Sequence, residues 1–443
     1  MPPLLRRQCH ALAAGTALLV TAPAHAVTLE SPIPIIDHPF VNQAPYAMPS
    51  MAQSLALTKT FYQYGHQAIG EDFADSPRAG YLTLIGFDLI ATWLPLGNSW
   101  LHEEWHRAVM GRYGIDSHNE IYDFNFEEVI KVYDVDDAEL VHLKDQHPAD
   151  HIRLSSAGLE AQYELNHALE QDTFFARAGG WHILLLWMNT LNNIAYLDTC
   201  ASRDADELTR EETASEGADI SARDFTGLDC NAWVYDLHRP AEPYADRGTH
   251  PSGVGIDRYR DYSDLTRAEQ DYLKHMRDLS LLNLVDPFLF GRNQFRGQHR
   301  RLGDFHWNMT LRHHLTPFGY DVSANLFLLS AASQRLVTVH SYRNQKDAWL
   351  GLEWQQFRDA PRWLAATWRL DWRMALWQQP QSLAFTADDG KWGGALTLRG
   401  YKAIGNWAPY AQLEAKTEGW LAGNVYLEPN YSVQLGFVLR PGQ

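Results

Sequence analysis

His102, Glu103 and His106 fall in the order His-Glu-x-x-His within Trp100-Leu101-His102-Glu103-Glu104-Trp105-His106. Two histidines four residues apart on a helix project from one face. They offer two imidazole nitrogens to a single cation, an arrangement that suits Zn²⁺. A glutamate directly after the first histidine stands where a general base beside an attacking water must stand. The spacing therefore predicts His102 and His106 as metal ligands, Glu103 as the catalytic base and hydrolysis as the chemistry. Trp100, Leu101, Trp105, Ala108 and Val109 surround the motif and predict a dry wall around it. Asn98 or Ser99 is the expected N-cap, with Gly111 or Gly114 near the helix end. The bland alternative is an amphipathic helix carrying two solvated histidines.

Two histidines do not complete a zinc site, so a third ligand is required. The motif resembles the gluzincin zinc peptidases, in which a glutamate on a later helix begins a Glu-Ala-x-x-Asp segment. Residues 160–164 read Glu160-Ala161-Gln162-Tyr163-Glu164. The resemblance implies Glu160 as third ligand and Glu164 as the carboxylate supporting a zinc-bound histidine. It also implies cleavage of peptide bonds. Glu164 stands where that family has aspartate. A metzincin continuation is excluded, because Val109 and Arg112 occupy the positions of its glycine and third histidine. Asp116 and His118 lie past the expected helix end. Asp198, after an apolar Asn-bearing segment, resembles the aspartate of site-2-type proteases without that family's Pro and Gly. Tyr163, His167, His182 and Arg112 are the candidate donors to an oxyanion. His-Glu-x-x-His does not define the scissile bond, so a lipid or cell-wall amide stays open beside a peptide.

The elements that must position this chemistry divide the chain. Arg6 and Arg7, an apolar run at 11–22 and Ala24-His25-Ala26 read as a signal peptide over 1–26. An exported chain meets an oxidising compartment, so Cys200 and Cys230 are expected to pair. They would staple an acidic, aperiodic insertion at 199–231. The net charge is −17, which excludes nucleic acid as a partner.

Residues 27–50 are Pro-rich and read as an extended lead-in. Residues 51–300 read as a helical domain. It includes apolar stretches at 80–97 and 181–197 and a helix from Ile152 to Glu170 with Asp150 as cap. Thr266 and Glu269 form a capping-box start for a helix running to Val285. From about residue 303 the period changes to two: Phe305, Trp307, Met309 and Leu311 alternate with His306, Asn308, Thr310 and Arg312. Leu364 to Leu376, Tyr320 to Leu328 and Val433 to Leu439 repeat it, and 10 of the 16 Trp lie between Trp307 and Trp420. Such alternation predicts strands with one apolar face. Strands of about ten residues with clustered aromatics match an outer-membrane barrel, and a soluble β-domain is the rival reading.

The expected fold is thus α+β. A helical metallopeptidase-like domain precedes an antiparallel β-barrel of about 8–10 strands over 301–443. The expected place is the cell envelope, at the outer membrane, with the helical domain facing the periplasm or the surface. The rival function is a non-enzymatic barrel protein in which the helices plug or cap the barrel.

Overall fold

The period-two segments of the C-terminal third pair in sequence order into one antiparallel sheet. The computed structural model describes residues 31–39, 49–124, 130–176, 180–292, 302–359, 367–402 and 407–439. The signal-peptide segment 1–26 and parts of the lead-in (27–30 and 40–48) lie outside them. The strands are β1 (Ser31–Pro39), the short pair β2 (His118–Asn119) and β3 (Val132–Tyr133), β4 (His306–Thr316) and β5 (Gly319–Leu329). They continue as β6 (Gln334–Arg343), β7 (Ala348–Asp359), β8 (Trp368–Pro380), β9 (Gly390–Lys402), β10 (Trp407–Lys416) and β11 (Asn430–Leu439). The large sheet has nine strands in the order β1-β11-β10-β9-β8-β7-β6-β5-β4.

Two expectations change here. The sheet is not closed into a barrel, because β1 and β4 stand at its two ends without pairing to each other. The lead-in supplies the ninth strand: Ser31–Pro39 pairs with β11, from Ser31 opposite Leu439 to Pro39 opposite Ser432. Proline lacks the N–H that a central strand must donate and is confined to edges. Pro32, Pro34 and Pro39 hide the strand in the sequence, and they are tolerated because β1 is an edge.

The helices are α1 (Met51–Asp72), α2 (Pro77–Ala91), α3 (Asn98–Arg112), α4 (Asp137–Gln146), α5 (Pro148–Phe175), α6 (Ile183–Cys200), α7 (Asp204–Ser215), α8 (Asp229–His238) and α9 (Arg267–Ser280). The capping box at α9 forms with both halves, Thr266 receiving the Glu269 N–H and Glu269 reaching back to Thr266. That helix stops at Ser280 and continues as a 3₁₀ turn, Leu281–Leu284, short of the expected Val285. The motif helix α3 is capped by Gly97 rather than by Asn98 or Ser99. The cap of α5 is His147, followed by Pro148, whose fixed φ suits the first helical position. Asp150 lies in the first turn and pairs with Arg112 at 2.5 Å.

Helix α5 is the axis of the molecule. Leu154, Ala157, Ala161, Leu165 and Leu169 are buried in the main core together with Leu101, Trp105, Ala108 and Val109 of α3. Along its length α5 also meets strands from distant parts of the sheet order. Phe175 lies 5.2 Å from Phe357 of β7, Glu164 faces His314 of β4, and Glu160 receives Trp420 and Gly423 from the loop after β10. A single helix touching all of these requires the sheet to curve around it.

Candidate metal centre

The 3.6-residue period of α3 places His102 and His106 on one face, directed at the N-terminal half of α5 and the start of α8. Asp229, the first residue of α8, completes the group. Its Oδ2 lies 3.0 Å from His102 Nε2 and 3.3 Å from His106 Nε2. All three ligand atoms fall within 4.8 Å of one another. Ligands at 2.0–2.1 Å from a tetrahedral zinc are separated by about 3.3 Å, so the two distances to Asp229, which are also those of direct ion pairs, lie close to what a shared ion requires. Gly158 of α5 faces the same point. A Cβ there would sit 2.2 Å from His102 Nε2 and 2.4 Å from His106 Nε2. The space beside both nitrogens exists because this residue is glycine, which lets α5 approach α3 closely.

The surroundings orient the ligands. His106 Nδ1 is 2.6 Å from the Leu154 carbonyl and donates to it, which leaves Nε2 with its lone pair for a cation. The rings of Phe225 and Tyr196 lie 5.0 and 6.4 Å from His106 and His102. The backbone N–H of Asp229 donates to the Tyr196 hydroxyl at 3.0 Å. A carboxylate in the first turn of a helix also faces the positive end of its dipole.

Charge at the site is uneven. Burial alone would raise the Asp229 carboxyl, but His106 and His102 hold it down to about 2. Burial disfavours the charged form of both histidines. At His106 it is outweighed by Asp229 and the Leu154 carbonyl, and the pKa rises. At His102 burial prevails and it falls. Glu103 is pushed well above the usual carboxylate range, first by burial and then by Asp229, Asp224, Glu104 and Glu120. Burial also raises Asp224 to about 7. Glu104, the other acid of the motif, is occupied: Arg107 donates to both its oxygens at 2.6 and 2.9 Å, and Asn119 adds a third bond. Glu103 makes no side-chain hydrogen bond among the described residues, so its carboxyl is available for proton transfer.

The expected third ligand is elsewhere. Glu160 is two residues beyond Gly158, about 200° further round the helix, and points away from the histidines. Its carboxylate pairs with Arg153 at 3.0 Å and accepts from Gly423 N–H at 2.9 Å and Trp420 Nε1 at 3.3 Å. Glu164 supports neither His102 nor His106; its nearest base is His314 Nε2 of β4, at 3.7 Å. Asp198 is half-buried and lies 3.8 Å from Arg277. His118 pairs with Asp123, and Asp116 is exposed. The candidate oxyanion donors are also engaged away from the group: Arg112 with Asp150 and Glu428, and His182 with His66. Tyr163 meets His314 and His167 meets Phe327, both on the sheet.

Asp229 comes from the acidic insertion 199–231, which is not a slack loop. It contains α7 and returns through Asp224, whose carboxylate accepts from the N–H groups of Val132, Phe225 and Gly227. Cys200 and Cys230 are disulfide-bonded, as expected, and the bridge fixes the residue next to Asp229. Seven residues along α8, Asp236 anchors the helix at its other end. Lys144 and Arg247 each reach Asp236 Oδ1 at 2.5 Å, and His151 reaches Oδ2 at 3.2 Å. Burial alone would raise Asp236, but Arg247, His151 and Lys144 hold it well below the usual range. Its contribution is therefore present above the ordinary aspartate pKa of about 3.9 and is lost only as pH falls towards the depressed value. Asp236→Ala leaves two buried cations without a counter-ion, and is expected to destabilise the fold by about 3–5 kcal/mol. The midpoint of urea unfolding at neutral pH measures this; an unchanged midpoint would mean that α8 is held by other contacts.

Set beside known proteins, the chain matches no family model, no curated protein and no solved structure.

Proposed function

We propose that the chain is a zinc-dependent hydrolase, a metallopeptidase of the His-Glu-x-x-His kind it resembles, acting on peptide or protein substrates. The carrying observation is the convergence of His102, His106 and Asp229 on the space left by Gly158, with Glu103 beside it. Two imidazole nitrogens and one carboxylate are a donor set that zinc favours, and three protein ligands leave a position open. Bound there, zinc would supply Lewis-acid polarisation of a carbonyl and lower the pKa of a nearby water.

The remaining work falls to the chain. Glu103, beside the triad and without a side-chain hydrogen bond among the described residues, accepts as its carboxylate the proton of the attacking water and passes it to the leaving amine. Leu154 and Tyr196 keep His106 and Asp229 in place, and Phe225 against His106 excludes bulk water. In the test, purified chain is stripped with a chelator and reloaded with zinc against a fluorogenic peptide mixture. Cleavage that disappears with the metal and returns with it supports the reading. Zinc uptake without cleavage of any peptide overturns the peptidase assignment.

The second reading is a sheet protein whose helices form a plug, with no catalysis. It is favoured by the position of α5 against the inward face of the curved sheet. It requires that replacing His102 and His106 leave every phenotype intact.

A further inference from the structure

Along its middle rows the sheet is inverted in polarity. Inward, one register row runs Thr310, Asn325, Thr338, Glu353, Ala375 and Ala395, all buried. Ion pairs lie within and between the inward rows, His340 to Asp321 at 2.7 Å and Arg373 to Glu353 at 2.6 Å. Outward, the row beside the first runs Met309, Leu326, Val337, Trp354, Met374 and Leu396 without a polar side chain. The row on its other side brings Val339, Leu352 and Leu376 into register. Met309, Val339, Leu352, Met374, Leu376 and Leu396 are between 43% and 54% exposed. A sheet folded for water puts its apolar face inside; this one buries a polar belt, flanked inward by Phe327, Leu336, Tyr342 and Trp377, and turns apolar side chains outward on strand after strand.

The outward face is also organised along its height. On β6 the outward charges stand only at the two ends, Arg335 and Arg343, with Val337, Val339 and Ser341 between. Exposed Trp392 and Tyr431 lie towards one rim, and exposed Trp368 and Trp407 at the other. From Trp368 to the level of Trp392, opposite Gln378, is ten residues along β8. That is about 33 Å of strand, or about 25 Å of height at the usual strand tilt of about 40°. The hydrocarbon-facing band of a membrane barrel has this height.

Unpaired strand edges are not tolerated in hydrocarbon, and here neighbouring segments take up part of each edge. The N–H of Leu311 donates to the Val285 carbonyl and that of His313 to Asn283 Oδ1, while Gln53 donates to the Ile35 carbonyl on β1. Between β4 and β1 the wall passes in turn through Leu281–Leu284, α6, α2 and α1. These segments expose Leu82, Leu89, Ile90, Leu281 and Val285, so the apolar belt continues across the seam. No described helix is long and apolar enough to cross a membrane.

We infer that the outward face of this sheet is embedded in the acyl chains of a bilayer, with the helices completing an otherwise open wall. The inference is independent of the metal centre. It is tested with the full chain, purified in mild detergent and reconstituted into phosphatidylethanolamine–phosphatidylglycerol vesicles, with and without brominated acyl chains. The chain is expected to float with the vesicles, and bromine is expected to quench its tryptophan emission through Trp354 and its outward neighbours. Leu352→Arg, at mid-band, is expected to reduce the floating fraction several-fold. Flotation without quenching, as from adsorption to the lipid surface, overturns the inference. So does a chain that stays in detergent-free solution, whether monomeric or paired with a second copy through this face. A Leu352→Arg chain that floats and is quenched like the parent also contradicts it.

Discussion

Glu103→Gln is expected to lower kcat by about 10²–10⁴-fold while bound zinc stays at one ion per chain. Glutamine keeps the shape of the side chain and cannot accept the proton. The loss corresponds to about 3–5 kcal/mol of transition-state stabilisation. A folding defect is not an available explanation for such a loss. Burial, and then Asp229, Asp224, Glu104 and Glu120, push the Glu103 carboxyl upward and favour its neutral form, so a neutral glutamine of the same shape costs the fold little. The variant should melt no lower than the parent. Steady-state kinetics with zinc analysis on the same sample measures both quantities. A variant retaining more than a tenth of parental kcat would mean that another group moves the proton.

Gly158→Ala is expected to weaken zinc binding by at least about 10²-fold without unfolding the chain. In a helix interior alanine is better than glycine by about 1 kcal/mol, so local propensity favours the change. The new methyl would lie 2.2 Å from one ligand nitrogen and 2.4 Å from the other, a separation that non-bonded atoms do not adopt. Either the histidines turn away or α5 retreats from α3, and both outcomes open the triad. Zinc titration read by calorimetry, with a melting curve, separates the two effects. Undiminished affinity would show that the ion does not sit where the three ligand atoms converge.

Much of the frame is legible from residue order, because it rests on periodicity and caps. The His-Glu-x-x-His helix, the Thr266–Glu269 box, the cysteine pair and the alternation from His306 onward are local signals, and each appears in the molecule. The third ligand is not local. Asp229 is one acid among many in a stretch without apolar period, and only its place beside a cross-linked cysteine sets it apart. Glu160 lay on the right helix, two residues from the point that faces α3, and that offset turns it to the opposite side. Gly158 was the available clue. A glycine in the middle of a long helix is unfavourable unless something approaches closely. Strand β1 was masked by its prolines, and the open sheet by the fact that period two reports a strand's faces but not whether its last neighbour exists.

The central claim is that His102, His106 and Asp229 form one metal centre. It is tested most directly by the metal content of the purified chain, measured by mass spectrometry after dialysis against zinc, for the parent and Asp229→Ala. The account predicts one zinc per parent chain and less than a tenth of that in the variant, with both chains folded. A parent chain without stoichiometric metal, or an Asp229→Ala chain that holds zinc as the parent does, would contradict it.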